Sequence, residues 1–195
     1  MQRAAQDKPE RRAVAGLFAE LRNFTRLSEV LDPARVMELA DEFFSLAGRH
    51  MGAGSGRVLG VHNDAVLAMF SAPADALAAA QALQHEFPAI GERWKNDYGL
   101  PAAVALGGHH GEAVLGMAGA PGARQYTAFG DCVSVAERLV HRARPGEIVL
   151  SRDFFGALGI DPASVGAAAR PPLELARRPA IALYGIELET RLDFT

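Results

Sequence analysis

Apolar positions along this chain switch between two periods, and the switches mark its elements. Residues 14–19, Val-Ala-Gly-Leu-Phe-Ala, form an unbroken apolar run of the kind shown by a strand buried on both faces. Asp32-Pro33 then supplies an N-cap and a first-turn residue for a helix, along which Val36, Leu39, Ala40, Phe43, Phe44 and Ala47 recur on one face. Residues 57–61 and 65–70 are two more apolar runs. Asn63-Asp64 between them favours a tight turn, so a hairpin with Asp64 at its tip is expected. The alanine-rich stretch 74–98 has helical composition and period. Residues 102–106 and 113–117 read as two strands around Gly107-Gly108, and 118–126, rich in Gly and Pro, as an extended arm. A helix over 131–143 turns Val133, Ala136, Leu139 and Val140 inward and stops at Pro145-Gly146. Residues 148–150 form a strand, Ser151 caps a short helix toward Leu158, and 181–188 supply a last strand.

Helices alternating with a mixed sheet predict an α+β sandwich. At 195 residues and 49% hydrophobic content, one core is expected. Residues 1–11 read as a polar leader or linker remnant, 12–190 as the domain, and 191–195 as a tail. Twenty basic and 23 acidic residues give a net charge of −3 without a basic stripe, so nucleic acid is not the expected partner. The longest apolar runs, such as 76–80, fall far short of the roughly 20 residues of a membrane span. No membrane contact is expected from the domain itself. The single cysteine, Cys132, excludes an intrachain disulfide, and a cytoplasmic setting is the default.

Three segments carry a resemblance: Leu17 through Thr25, Asn63-Asp64-Ala65-Val66, and Tyr126-Thr127-Ala128-Phe129-Gly130-Asp131. Together they resemble the signature of class III adenylate/guanylate cyclase catalytic domains, over about residues 12–188. The resemblance implies a ferredoxin-like class III cyclase homology fold, with a mixed central sheet flanked by helices and an extended dimerisation arm. It also implies chemistry that joins the 3′ hydroxyl of a nucleoside triphosphate to its α-phosphate, with pyrophosphate leaving and two divalent metals, Mg2+ or Mn2+, assisting. In that family two aspartates hold the metals; Glu20 and Asp64 stand at those places here. Leu21, Arg22, Asn23, Phe24 and Thr25 match the turn whose backbone amides approach the phosphates. Asn23 and Asn63 replace glycines, and asparagine tolerates a left-handed backbone.

Base selection in the family uses a lysine and an aspartate or threonine; Gly60 and Thr127 occupy those positions. An asparagine that orients the ribose and an arginine that stabilises charge at phosphorus correspond to Ser134 and Arg138, which share one face of the helix. Each has a plainer reading: Asp64 as a turn residue, Arg138 as a surface charge paired with Glu137 or Asp131. Adjacent His109 and His110 point to opposite faces of a strand and do not suggest a metal cluster, and Cys132 reads as a small packing residue.

Since class III domains work as head-to-tail dimers, a homodimer, or a heterodimer with an intact cyclase chain, is implied. With the family's lysine and asparagine lost, the reading is a degenerate domain in nucleotide signalling that binds a nucleoside triphosphate or related small molecule. It would be a regulatory dimer with weak or no conversion of ATP to cAMP. The alternatives are an active, divergent adenylate/guanylate-type cyclase and a pure dimerisation scaffold.

Overall fold

The computed structural model describes residues 8–187. A long strand, β1 (Glu10–Arg22), leads into a short helix α1 (Phe24–Val30) and then α2 (Pro33–Met51). The hairpin β2 (Gly56–His62) and β3 (Ala65–Phe70) is followed by α3 (Pro73–Tyr98) and a second long strand, β4 (Ala103–Ala118). After β5 (Gln125–Phe129) come α4 (Asp131–Arg142), β6 (Glu147–Ser151), α5 (Arg152–Leu158), a 3-10 turn (Pro162–Val165), β7 (Ala168–Leu173) and β8 (Ile181–Glu187). The strands lie in the order β2-β3-β1-β4-β6-β8-β7, with β5 added along the end of β4. Among the described residues only β4 and β6 run parallel, so the sheet is mixed, as expected.

The period of two along β1 divides the core. Ala15, Leu17, Ala19 and Leu21 point to one face and pack with Phe43 of α2 and with Phe87 and Trp94 of α3. Val14 and Phe18 point to the other face, where α4 contributes Cys132, Val135, Leu139 and Val140. Local signals position the helices: Asp32 accepts the Ala34 N–H at 2.9 Å with Pro33 in the first turn, and the Ser151 hydroxyl accepts the Phe154 N–H at 3.1 Å.

Several boundaries depart from the pattern-based expectation. The two strands predicted at 102–106 and 113–117 are one strand, because Gly107-Gly108 is not a turn. Both glycines stay in the β1 ladder, opposite Phe18 and Leu17. Their lack of a side chain serves packing instead: a Cβ on Gly107 would run into the backbone of Val140 and Ala136 in α4. The first strand is longer than 14–19 and already runs at Glu10. Gln125 and Tyr126, assigned to the arm, belong to β5, which leaves 119–124 as the irregular connection. Helix α1 and strand β7 carry no clear pattern; β7 reads Ala-Ala-Arg-Pro-Pro-Leu and is tolerable because it is an edge strand. Leu188, placed in the last strand, and the tail 191–195 lie outside the described residues.

Gly107→Ala should therefore lower stability by about 1–3 kcal/mol through overpacking. Urea denaturation checks it; an unchanged midpoint would show that α4 can retreat from β4 without cost.

Candidate functional site

Strand geometry places Glu20 and Arg22, two residues apart, on the same face of β1, the face that α4 covers. Glu20 lies opposite Ala65 of β3, and the Leu21 N–H donates to the Asp64 carbonyl at 2.9 Å. That clip holds the β2–β3 turn against β1 and brings Asp64 beside the strand that carries Glu20. Asn63 adopts φ 53° and Asn23 φ 71°, so both asparagines take the left-handed conformation that their positions require.

The Glu20 side chain is only 12% exposed, and both of its oxygens are engaged. Arg22 Nη1 donates to Oε1, while His141 Nε2 of α4 lies 3.3 Å from Oε2. Arg22 Nη2 donates onward to the carbonyls of Val140 and Ala143, the latter at 3.0 Å, at the C-terminal end of α4 where the helix dipole favours a cation. Burial lowers the Arg22 pKa, and the nearby Asp64 charge opposes that effect.

Opposite β3 residue Leu67 sits Gly60 of β2, directly after a bulge between Val58 and Gly60. Leu67 packs in the α4 layer, so Gly60 shares the face of Glu20. A Cβ there would find nothing within 4 Å, which makes it open space. Thr127 is half-buried on β5. The Arg57 guanidinium lies 3.3 Å from the ring centroid of Tyr126, a cation–π contact that ties β5 to β2, the strands carrying Thr127 and Gly60.

Ser134 and Arg138 are exposed one turn apart on α4. With Asp131, Leu175, Ala176 and Arg178 they line a cleft of about 260 Å³ between α4 and the connection from β7 to β8. Asp131 pairs with Arg178 at 2.6 Å, and among the described residues no ion pair involves Arg138. One chain thus holds two separate groups. Glu20, Arg22 and Asp64 sit on the β1 and β3 side of α4, whereas Ser134 and Arg138 look toward the β7–β8 edge.

The segment Leu21 to Thr25 is not a single turn. Leu21 and Arg22 end β1, and the Leu21 amide is committed to Asp64, so it is not open to a phosphate. Only Asn23 makes the turn, its side-chain amide donating to the Pro101 carbonyl at 2.7 Å, and Phe24 and Thr25 open α1. A hard divalent ion needs several oxygens with free lone pairs. The Glu20 carboxylate already faces Arg22 and His141, and among the described residues no group of three His, Cys, Asp or Glu side chains comes together to hold an ion. As folded, the donor set does not fit a metal bridging Glu20 and Asp64.

A mixed sheet carrying these turns and helix positions defines a nucleotide cyclase homology domain. Residues 7–184 match the adenylate and guanylate cyclase catalytic domain, and the chain belongs to that family. Adenylate cyclase 1 of Rhizobium meliloti (strain 1021) is 36% identical over 137 residues, 66% of this chain and 20% of that protein. The adenylate cyclase of Anabaena cylindrica is 28% identical over 129 residues, 63% of this chain and 26% of its own. This chain therefore spans about a fifth to a quarter of these curated relatives' length. In structure, the adenylyl cyclase CyaB from P. aeruginosa matches with a TM-score of 0.83 at 18% identity, covering 96% of this chain and 100% of that one. The guanylate cyclase domain of RhGC from Catenaria anguillulae, solved in complex with GTP, matches at 0.72 and 18% identity over 90% and 97%. At such identities the likeness shows the fold. Among the described residues, no helix is long and apolar enough to cross a membrane.

Two chemically capable residues are structural. The Cys132 thiol is fully buried, donates to the Val14 and His109 carbonyls, and is pushed up to about 11 by burial. His109 is buried, with Nδ1 2.7 Å from the Ser151 hydroxyl. That hydroxyl also accepts the Phe154 N–H, so Ser151 links the His109 ring to the start of α5. Burial lowers the His109 pKa, with Asp153 and Asp131 opposing. A lowered folded-state value means that the unfolded chain binds the proton more readily. The contribution is complete above the ordinary histidine value of about 6.5 and is lost as pH falls below it. Urea midpoints should fall between pH 7 and pH 5, and His109→Gln should flatten that slope. An equal slope in the variant would assign the acid sensitivity to other groups.

Proposed function

We propose that this domain binds a nucleoside triphosphate at the junction of two copies arranged head to tail, and works as a regulatory unit with weak or no cyclisation of ATP. The observation that carries this reading is the separation of the candidate groups on α4. Ser134 and Arg138 face away from Glu20 and Asp64, so a complete site needs a second chain to bring the two sets together. Val61 and Phe129, 50% and 64% exposed, flank Gly60 and Thr127 on β2 and β5 and offer apolar surface to such a copy. A heterodimer with an intact cyclase chain would use the same surfaces.

Within that site the Arg138 guanidinium would offset charge on the triphosphate, and the Thr127 hydroxyl would hydrogen-bond the base. Two donors fall short. Gly60 presents no group to the base, and Ser134 is too short to hold the ribose as an asparagine would. Losing one preorganised donor costs about 10²- to 10³-fold in rate. Magnesium or manganese would arrive with the triphosphate, in a cytoplasmic setting. The open volume at Gly60 favours one second reading, a divergent cyclase whose base is selected by room rather than by a lysine.

Purified protein incubated with ATP, GTP, CTP or UTP, each with magnesium and with manganese, should bind nucleotide yet form no cyclic product above the Asp64→Ala control. The combined Gly60→Lys, Ser134→Asn and Glu20→Asp variant should gain at least about 10²-fold in product. Wild-type product that vanishes in Asp64→Ala would replace this reading with the divergent cyclase. Absence of binding to all four nucleotides would leave a scaffold.

A further inference from the structure

We propose that Arg22 is a built-in cation of the carboxylate site: its guanidinium removes Glu20 from the metal-binding set and leaves Asp64 as the one carboxylate there open to a divalent ion. The inference rests on reading Glu20 and Asp64 as the family's carboxylate pair, and it deepens that reading.

Register makes the arrangement unavoidable. Residues 20 and 22 of one strand project side by side, and β1 continues through Arg22, paired with Ala103, so the side chain stays on the face of Glu20. The guanidinium then divides its donors. One nitrogen takes Glu20 Oε1, and the other takes the Val140 and Ala143 carbonyls. A flexible ammonium could leave with little lost, whereas a planar fork bonded on two sides is held in place. His141 Nε2 of α4 stands 3.3 Å from the second Glu20 oxygen, so the carboxylate has a nitrogen neighbour on each side.

Charge points the same way. Asp64, in the adjoining β2–β3 turn, acts on Arg22 through its charge, so the guanidinium that pairs with Glu20 also stands near the second acid. An ion entering toward Glu20 meets a fixed positive charge at short range. Glutamate, one methylene longer than aspartate, reaches far enough along the strand face to make the pair. The chain has therefore replaced an exchangeable cation with a covalently tethered one at the first carboxylate.

The test is manganese binding by the full chain without nucleotide, read from the free Mn2+ signal in electron paramagnetic resonance. Wild type should bind at most one ion per chain at this site, and Glu20→Gln should weaken that binding less than Asp64→Ala does. Arg22→Met should tighten binding at least about tenfold, and the gain should vanish in Arg22→Met/Glu20→Gln. Two ions per wild-type chain, with Glu20→Gln as damaging as Asp64→Ala, would overturn the proposal. A folded Arg22→Met with wild-type affinity would overturn it too. Should Arg22→Met fail to fold, carboxylate carbon shifts of the wild type under magnesium titration decide. Asp64 should move and Glu20 should not, and a moving Glu20 refutes the tethered cation. No nucleotide enters these measurements, so their outcome is separate from that of the nucleotide-binding reading.

Discussion

Helix α4 reaches the sheet only because Gly16 and Gly107 present no side chain beneath it. A Cβ on Gly16 would stand 3.1 Å from the Cys132 sulfur, and one on Gly107 would strike the α4 backbone. From that close seating the rest follows. The thiol can donate to the Val14 and His109 carbonyls, the last carbonyls of α4 come within reach of Arg22, and His141 meets Glu20. The same seating turns Ser134 and Arg138 outward to the β7–β8 edge. A single packing contact thus decides which side chains work within the chain and which must work on another.

The electrostatic consequence concerns the β1 end. Glu20 on β1 and Asp64 in the adjoining β2–β3 turn repel unless a cation lies near them. Here the chain supplies its own, anchored to the Val140 and Ala143 carbonyls at the end of α4. Buried ion pairs of this kind are weak sources of net stability but strong determinants of local geometry, since removing one partner strands the other.

Much of the architecture was legible in the sequence. The hairpin at Asn63-Asp64, the Asp32-Pro33 helix start and the inward face of α4 follow from turn chemistry and period. Both left-handed asparagines were also readable. Gly107-Gly108 misled, because a glycine pair in a strand signals either a turn or a close approach, and only tertiary packing decides. β7 was hidden because its two prolines carry no strand propensity, which an edge strand tolerates. At the site, the neighbourhood of Glu20 and Arg22 follows from their spacing along a strand, once the strand is known to extend to residue 22. His141 and Arg178 could not be found that way, since their partners are over a hundred and over forty residues away and meet them only through the position of α4.

The most direct test of the tethered cation is a crystal structure of the dimer grown with manganese and a non-hydrolysable nucleoside triphosphate, with manganese located by anomalous scattering. Arg22 is expected to remain hydrogen-bonded to Glu20 and to the end of α4, with any manganese peak beside Asp64 alone. An Arg22 side chain swung into solvent, with manganese bridging Glu20 and Asp64, would contradict it.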